Sequence, residues 1–333
     1  MGGVTHWSQV WSARPWRDEA TGWIDDVLAS HRIIRTGDVE QPRVRPWSTQ
    51  LVAPTDRGRV WFKANSPHMG HEPALVDALA DLLPRRVRAP LGTDAARGWM
   101  LCSDEGPRLD ETPVTADTWC SLLRDAATMQ RALVDHGERL LATGLPDLRP
   151  SRLAAVTDDL LQTLAALPPE HPSHLDAGTA ARVQARLPRL GEAIGVLREG
   201  PVPSTLQHGD LHPGNVFARR DDGAAWRIFD FGDAQWAHPF EVLVVPVRVA
   251  TEELGPDAAV RLVESYLEVW DDLAPRAELR RLVRAAAFAH AVPRALTWWQ
   301  ATRTMTEDET RTWGVPVRAW IERLADADAP EPP

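Results

Sequence analysis

Cysteine and long apolar runs are both scarce in this chain. Its 333 residues include two cysteines, Cys102 and Cys120, which match no metal-ligand spacing. Free buried thiols are therefore expected rather than a disulfide framework or a zinc site. No run of about eighteen uncharged apolar residues occurs, and the N-terminus lacks a basic start followed by an apolar stretch. We therefore expect a cytoplasmic protein that neither enters a membrane nor is exported.

Lysine is scarcer still. Lys63 is the only lysine, beside 36 arginines. Where arginine supplies almost every positive charge, a retained lysine suggests a site that needs a compact ammonium. The alternative is that the position of this one lysine has no functional meaning. The formal net charge of −10 argues against a broad nucleic-acid surface. It is compatible with a cationic small substrate, and equally with a charge kept for solubility alone.

Apolar periodicity divides the sequence into an α+β part and a mostly helical part. Residues 16–29 carry apolar side chains at helical spacing, which predicts a helical cap within residues 1–38. The next segment, 39–106, combines strand-like runs with one predicted helix at 71–83, which indicates a lobe with a small antiparallel sheet. The predicted strands cover 48–53, 59–64 and 98–102.

The remaining residues, 107–333, are rich in alanine, leucine and arginine with helical periodicity, which predicts a helical lobe. The predicted helices cover 119–141, 151–167, 178–197, 258–270, 277–302 and 313–325. This series is interrupted once, between 205 and 233, where two loops that carry glycine and aspartate flank a short strand. The acidic, proline-rich tail at 326–333 is expected to be frayed.

The interruption contains two motifs with the chemistry of phosphoryl transfer. Residues 207–215 read QHGDLHPGN, and residues 228–233 read IFDFGD. Phosphoryl transfer needs a carboxylate that deprotonates the attacking hydroxyl and oxygen ligands that hold magnesium against the phosphates. Asp210, Asn215 and Asp230 provide such groups at a spacing that a tight loop and a hairpin bring together.

These motifs resemble the HGDxxxxN signature and the following DxG element of the aminoglycoside-phosphotransferase and choline-kinase superfamily, which shares the catalytic template of protein kinases. The resemblance implies a two-lobed, protein-kinase-like fold and an ATP-dependent small-molecule kinase. It makes Asp210 the catalytic base, Asn215 and Asp230 the magnesium ligands, and His208 a brace of the loop. Each residue alone would be interpreted as a turn former or cap; order and spacing together favour catalysis.

The segment 39–106 supplies the nucleotide-binding partners expected of such a kinase. Lys63 ends a predicted strand and Glu72 begins the next helix, so their pairing would place the ammonium on the α- and β-phosphates. The alternative is a surface ion pair of little energetic value. No GxGxxG loop precedes the lysine strand. Ser48 and Thr49 stand there instead, as candidate phosphate contacts or as a plain turn that begins a strand.

Residues 98–106 resemble the hinge of the same family, a strand whose exposed backbone hydrogen-bonds adenine. The resemblance places this contact near Leu101 and Ser103, although a purely structural strand would look similar. No APE-like segment follows Asp230, which argues against a protein kinase with a regulated activation loop.

The acceptor is expected to lie against the helical lobe. Aromatic faces cover the apolar surface of a sugar ring, while carboxylates and amides bind hydroxyls or an ammonium. Because neighbouring residues on a helix point about 100° apart, at most one of Trp298 and Trp299 should face the cleft; the alternative is core packing. Glu241 has a second interpretation, as a structural brace of the catalytic loop. Beside Asp210, the candidate acceptor residues are His212, Asp233, Glu241, Trp298 and Gln300.

The tryptophan-rich cap, the Pro-Trp-Ser-Thr strand, the single Lys63 and the catalytic loop together are similar to actinobacterial sugar kinases related to maltokinase, and especially to glucosamine kinases. This resemblance implies transfer from ATP, with Mg²⁺, to the 6-hydroxyl of glucosamine. An aminoglycoside-resistance kinase is the principal alternative, and a catalytically silent nucleotide- or ligand-binding protein on the same fold is another. No nucleic-acid, membrane or obligate protein partner is expected.

Overall fold

The computed structural model of the chain describes residues 5–219 and 224–325. They form an α+β molecule of two lobes, a sheet with a helical cap followed by a mostly helical lobe, as the sequence predicted. The tail at 326–333 lies outside the described residues. Within the described ranges, no helix combines the length and the apolar composition that a membrane crossing requires.

A five-stranded antiparallel sheet forms the first lobe, and two of its strands form a hairpin around residue 56. Its strands are β1 (Glu40–Val44), β2 (Ser48–Thr55), β3 (Gly58–Asn65), β4 (Gly92–Asp94) and β5 (Trp99–Ser103). Their order is β1-β2-β3-β5-β4. The edge strands β1 and β4 were not predicted, because one contains a proline and the other has only three residues; pairing with a neighbour imposes their extended form.

The helical cap covers one face of the sheet. It consists of α1 (Trp7–Ser12) and α2 (Arg14–Ser30), and the second confirms the helix predicted at 16–29. Ala20, Ile24 and Leu28 recur at helical spacing and are buried against apolar sheet residues, among them Phe62 and Leu101. Burial of apolar side chains stabilises the contact. The opposite face of the sheet is thereby left to line the cleft between the lobes.

On the cleft side, α3 (Glu72–Leu82) follows β3 and confirms the helix predicted at 71–83. The second lobe consists of ten helices in the described residues. They are α4 (Ala116–Leu133), α5 (Gly137–Leu141), α6 (Pro150–Ala165), α7 (Ala177–Glu199), α8 (Val244–Leu254), α9 (Pro256–Leu267), α10 (Arg276–Ala289), α11 (Ala291–Thr302), α12 (Glu307–Trp313) and α13 (Val315–Ala325).

The prediction of a single helix at 277–302 was wrong, because two helices, α10 and α11, cover these residues and His290 separates them. Pro293 has no N–H to donate to the carbonyl of Ala289, so the helical hydrogen-bond ladder cannot continue through this point. The break matters for the site because α11 contacts the loop at 207–215.

Two small ladders bring the motif loops side by side. Their strands are β6 (Thr205–Gln207), β7 (Val216–Phe217), β8 (Arg227–Ile228) and β9 (Gln235–Ala237). β6 pairs with β9, and β7 pairs with β8. The loop from β6 to β7 and the loop from β8 to β9 are therefore held next to each other at both ends.

Candidate active site

Gly209 allows the two loops to touch. Its φ is +86°, and a Cβ at this position would lie 2.1 Å from the carbonyl oxygen of Asp233, so only glycine fits. His208 joins the loops beside it: Nε2 lies 3.0 Å from the carbonyl oxygen of Phe229, and Nδ1 accepts the N–H of Asp210 at 3.3 Å. Burial lowers the pKa of His208, so the neutral ring with its proton on Nε2 suits both contacts.

Asp210 lies at the tip of the first loop with its carboxylate partly exposed. His212 Nε2 is 3.6 Å from one carboxylate oxygen, and Arg294 Nη2 is 3.7 Å from the other. Burial raises the pKa of Asp210, but His212 and Arg294 outweigh it and hold the pKa below its ordinary value. Asp210 is therefore ionised at neutral pH, the form that a base requires.

Arg294 of α11 ties this carboxylate to both loops. Its guanidinium is buried, donates to the carbonyl of Gly209 at 3.0 Å and lies 3.2 Å from Asp233. Burial, together with the carboxylates of Asp210 and Asp230, raises the pKa of Asp233 to about 6 against the opposing effect of Arg294. Sequence reasoning missed Arg294, although its position one helical turn before Trp298 is a signal that could have found it.

Asn215 and Asp230 present oxygen atoms to the same space. The Asn215 amide nitrogen donates to the carbonyl of Asp210 at 2.9 Å, which leaves its amide oxygen to face the cleft. Asp230 adopts a left-handed backbone with φ of 65°, uncommon for a residue other than glycine. Two such oxygen donors fit a magnesium ion whose other ligands are phosphates or water. In the described part of the chain, no group of three or more His, Cys, Asp or Glu residues could hold a metal ion.

Lys63 of β3 joins the first lobe to these loops. Its Nζ lies 2.5 Å from Glu72 and 2.6 Å from Asp230, and Asn65 donates to the same Glu72 oxygen at 2.7 Å. Burial lowers the pKa of Lys63, but the two carboxylates outweigh it and raise the pKa above its ordinary value. Burial raises the pKa of Asp230, yet Lys63 brings it down to about 2. Burial itself raises the pKa of Glu72.

Two cavities meet at these residues. The first, called the sheet cavity, has a volume of about 440 Å³ and lies between the cleft face of the sheet and the β7–β8 ladder. The second, the helix cavity, measures about 250 Å³ and is bounded by α11 and Asp210. The residues that line both are Arg43, Lys63, Arg108, Gly214, Asn215 and Asp230.

The structure brings some predicted nucleotide contacts to the cavities and leaves others outside. Ser103 lines the sheet cavity and Ser48 lines the helix cavity. Thr49 and Leu101 line neither, so these two predictions require correction. Thr49 donates to the carbonyl of Arg43 and accepts from the amide of Gln41, on the cap side of the sheet. Leu101 is buried under the cap. Alternation of side chains along a strand directs both away from the cleft.

The acceptor candidates divide in the same way. His212, Asp233 and Trp298 line the helix cavity, as does Asp210. Gln300 does not, because the residues of α11 that face this cavity recur at helical spacing and Gln300 lies between them. They are Arg294, Thr297, Trp298 and Ala301. Of the paired tryptophans, Trp298 lines this cavity, and Trp299 packs against His171 instead.

Trp47 is a second residue that sequence reasoning missed. It lies in the turn from β1 to β2 and lines the helix cavity. Its ring meets Trp298 and Trp313 edge-on, at centroid distances of 5.6 and 5.1 Å, which is a favourable aromatic geometry. Trp47 therefore bridges the two lobes at the mouth of the helix cavity, although a long-range contact of this kind left no signal in the sequence.

Glu241, a predicted acceptor contact, requires correction. Its side chain is 0% exposed, lines neither cavity and lies 3.0 Å from Nδ1 of His290. Burial raises the pKa of Glu241 to about 8 and lowers that of His290 to about 3. The pair lies behind the catalytic loop, where α10 ends.

This pair predicts a pH dependence of stability. Between about pH 4.3 and 6.5 the two groups together hold one proton in the folded protein and one in the unfolded chain. In this range the pair therefore does not make the free energy of unfolding depend on pH. Between pH 6.5 and about 8 the folded pair still holds one proton and the unfolded chain holds none. The free energy of unfolding should therefore fall by about 2 kcal/mol as the pH rises through that window. Glu241→Gln should abolish the fall; urea titrations at both pH values measure it, and an equal decline in the two proteins would contradict it.

Comparison with known proteins agrees with this geometry. Residues 40–279 match the model of a family described as the Phosphotransferase enzyme family, APH. No curated protein matches the sequence significantly. A solved macrolide 2'-phosphotransferase type I is similar, with 18% identity, a TM-score of 0.58 and coverage of 92% of this chain and 97% of its own.

Two further solved structures are similar. Aminoglycoside 2'-phosphotransferase-IIIa in a GDP complex has 15% identity, a TM-score of 0.57 and coverage of 92% of this chain and 98% of its own. A choline/ethanolamine kinase family protein from Mesorhizobium loti has 17% identity, a TM-score of 0.55 and coverage of 89% and 90%. At such identities the likeness establishes the kinase-like fold. Because the family match spans both lobes and both motif loops, this chain belongs to the APH phosphotransferase family and is an enzyme that phosphorylates a hydroxyl group of a small molecule.

Proposed function

We propose that the protein transfers the γ-phosphoryl group of ATP to a hydroxyl of an amino sugar, with glucosamine converted to glucosamine 6-phosphate. The observation that carries the proposal is that Asn215 and Asp230 lie where the sheet cavity joins the helix cavity, with Asp210 beside them on the helix-cavity side. One cavity can hold a nucleotide and the other an acceptor, with the base on the acceptor side. This arrangement supports transfer across the junction rather than binding alone.

In the proposed reaction, Asp210 orients the acceptor hydroxyl and takes its proton. The hydroxyl oxygen forms a bond to the γ-phosphorus while the bond from that phosphorus to the bridging oxygen of ADP breaks, so ADP is the leaving group. Asn215 and Asp230 would hold magnesium, which neutralises charge on the phosphates when bound. Lys63 donates to the phosphate oxygens, and its two carboxylate partners fix its position.

The helix cavity favours a single sugar ring. Its volume of about 250 Å³ lies below the range of about 300–1,000 Å³ typical of sites for drug-sized ligands. Trp298 and Trp47 offer aromatic surface for the C–H face of a ring, and Asp233 offers a carboxylate for an ammonium or a hydroxyl. A free amino group should therefore be bound better than an acetylated one.

A larger cationic acceptor is the second candidate, favoured by a side groove of about 690 Å³ that opens beside Asp210. Asp110, Glu111 and Glu253 line this groove, and its single arginine, Arg248, is paired with Glu252 at 3.1 Å. An aminoglycoside could place one ring in the helix cavity and another in the groove.

ADP release measured with magnesium ATP distinguishes the candidates. The panel contains glucosamine, glucose, N-acetylglucosamine, maltose, choline, kanamycin and buffer alone. Turnover with glucosamine well above that with N-acetylglucosamine is expected, because acetylation removes the charge that Asp233 would bind. Turnover with kanamycin alone would favour the second candidate. A lack of turnover across the panel would contradict the amino-sugar assignment.

A further inference from the structure

Three cations lie where the sheet cavity and the helix cavity meet: Lys63, Arg108 and Arg43. Lys63 is held by two carboxylates, and Arg108 lies 3.1 Å from the carboxylate of Asp110. Arg43 has no carboxylate at salt-bridge distance within the described ranges, and its Nε is buried without a hydrogen-bond partner. Arg43 is thus the one of these three cations that no carboxylate of the described residues holds at ion-pair distance, although its charge still acts on Asp230 from farther away.

The register of the sheet explains why Arg43 points to this place. Arg43 lies opposite Gln50 on β2, and Gln50 lies opposite Lys63 on β3. Directly opposed residues of antiparallel strands share one face of the sheet. Strands lie about 4.8 Å apart, so Arg43 starts roughly 10 Å from Lys63 and its long side chain can lean back toward the junction. All three residues line the sheet cavity.

A triphosphate at this junction brings negative charge that Lys63 alone does not offset. The positive charge of Lys63 is already matched by Asp230 and Glu72, which lie 2.6 and 2.5 Å away, so this cluster has no surplus positive charge for a triphosphate. An unpaired buried donor also costs free energy unless a ligand satisfies it. A guanidinium forms two parallel hydrogen bonds to a phosphate more readily than other side chains.

We propose that Arg43 binds the terminal phosphate of the nucleotide and stays on that phosphoryl group during transfer. It would take the part that backbone amides of a glycine-rich loop play in protein kinases, since the turn after β1 carries Arg45, Pro46 and Trp47 in place of glycines. This inference rests on the proposed function, because it needs a nucleoside triphosphate in the sheet cavity. It adds a phosphate-binding residue on a strand that contributed no candidate from sequence.

Calorimetric titration of the whole protein with ATP, ADP and adenosine, without acceptor, tests the assignment. Arg43→Met should lower the affinity for ATP by about 10- to 100-fold, the range for hydrogen bonds to a charged group. The affinity for ADP should fall less, and the affinity for adenosine should not change. Arg43→Lys should recover part of the preference for ATP. Unchanged adenosine binding also shows that the variant is folded.

Arg45→Met is the matched control, since Arg45 lies two residues away, is exposed and lines neither cavity. Its ratio of ATP to ADP affinity should equal that of the unmodified protein. If the ratio of ATP to ADP affinity in Arg43→Met stays within about twofold of that in the unmodified protein, the role of Arg43 is overturned. The proposed function is not affected by that result. Failure of the unmodified protein to bind ATP would overturn the proposed function and the inference together.

Discussion

Asp210→Asn is expected to lower kcat by about 10²- to 10⁴-fold, the usual contribution of a positioned general base. The amide cannot take the proton of the acceptor hydroxyl, although its size and position are nearly the same. Affinity for ATP should change little, because Asp210 lines the helix cavity and not the sheet cavity. Steady-state kcat and the equilibrium affinity for ATP, measured on the same preparation, check both parts.

Asp110→Asn provides the control for that experiment. Asp110 also lines the helix cavity, but its carboxylate is paired with Arg108 and no hydrogen bond joins it to Asp210. A loss of less than about tenfold is expected from this change, since it removes surface charge and not the base. Asp210→Asn turnover within tenfold of the unmodified enzyme would remove Asp210 from the role of base. Equal, large losses in both variants would instead indicate a general effect of cavity charge.

Lys63→Met should damage both activity and stability. Loss of one fixed donor to a reacting group typically costs about 10²- to 10³-fold in kcat. Removal of one partner of a buried ion pair typically costs about 3–5 kcal/mol, because the opposite charge stays buried and unpaired. Here two carboxylates, Glu72 and Asp230, would be left. Steady-state kinetics and urea unfolding at pH 7 measure the two effects.

The contribution of Asp230 to the pH dependence of stability should reverse in this variant. In the unmodified protein the pKa of Asp230 is lowered to about 2, so its contribution is present above about pH 4 and is lost as the pH falls toward 2. Without Lys63, burial raises the pKa of both carboxyl groups above their unfolded values. The destabilisation caused by these ionised carboxylates is then absent below about pH 4 and grows as the pH rises.

A double variant separates the two effects of Lys63. Lys63→Met with Glu72→Gln removes one buried charge along with its partner, so a substantial part of the lost stability should return while turnover stays low. Lys63→Arg keeps the charge, but a planar guanidinium does not fit where an ammonium lies 2.5 and 2.6 Å from two carboxylates. Full activity in Lys63→Arg would contradict the requirement for lysine.

Local signals were sufficient where a motif and its structure are close in sequence. The order of residues in 207–215 and 228–233 predicted two loops around a short strand, and the strands β6 to β9 hold those loops side by side. The strand that ends near Lys63 and the helix that begins at Glu72 were predicted as well. In each case proline, glycine or apolar periodicity fixed the local backbone.

Side-chain direction across the lobes was beyond those signals. Thr49, Leu101, Glu241 and Gln300 were predicted in the site and lie outside its cavities. Thr49 and Leu101 point to the face of the sheet that the cap covers, Gln300 lies between the cavity-facing residues of α11, and Glu241 is buried against His290. A one-residue step along a strand reverses the face, so composition and spacing alone could not separate these residues from their neighbours.

The sequence by itself determined the class of chemistry, since Asp210, Asn215 and Asp230 occur in an order that few other functions require, and it determined the α+β division of the chain. Only the tertiary structure decided which cations and aromatic rings complete the site. Arg43, Trp47 and Arg294 come from elements distant in sequence, and no local periodicity records such contacts. Strand register and packing of the lobes bring these side chains together, and both are set by burial and pairing over the whole molecule.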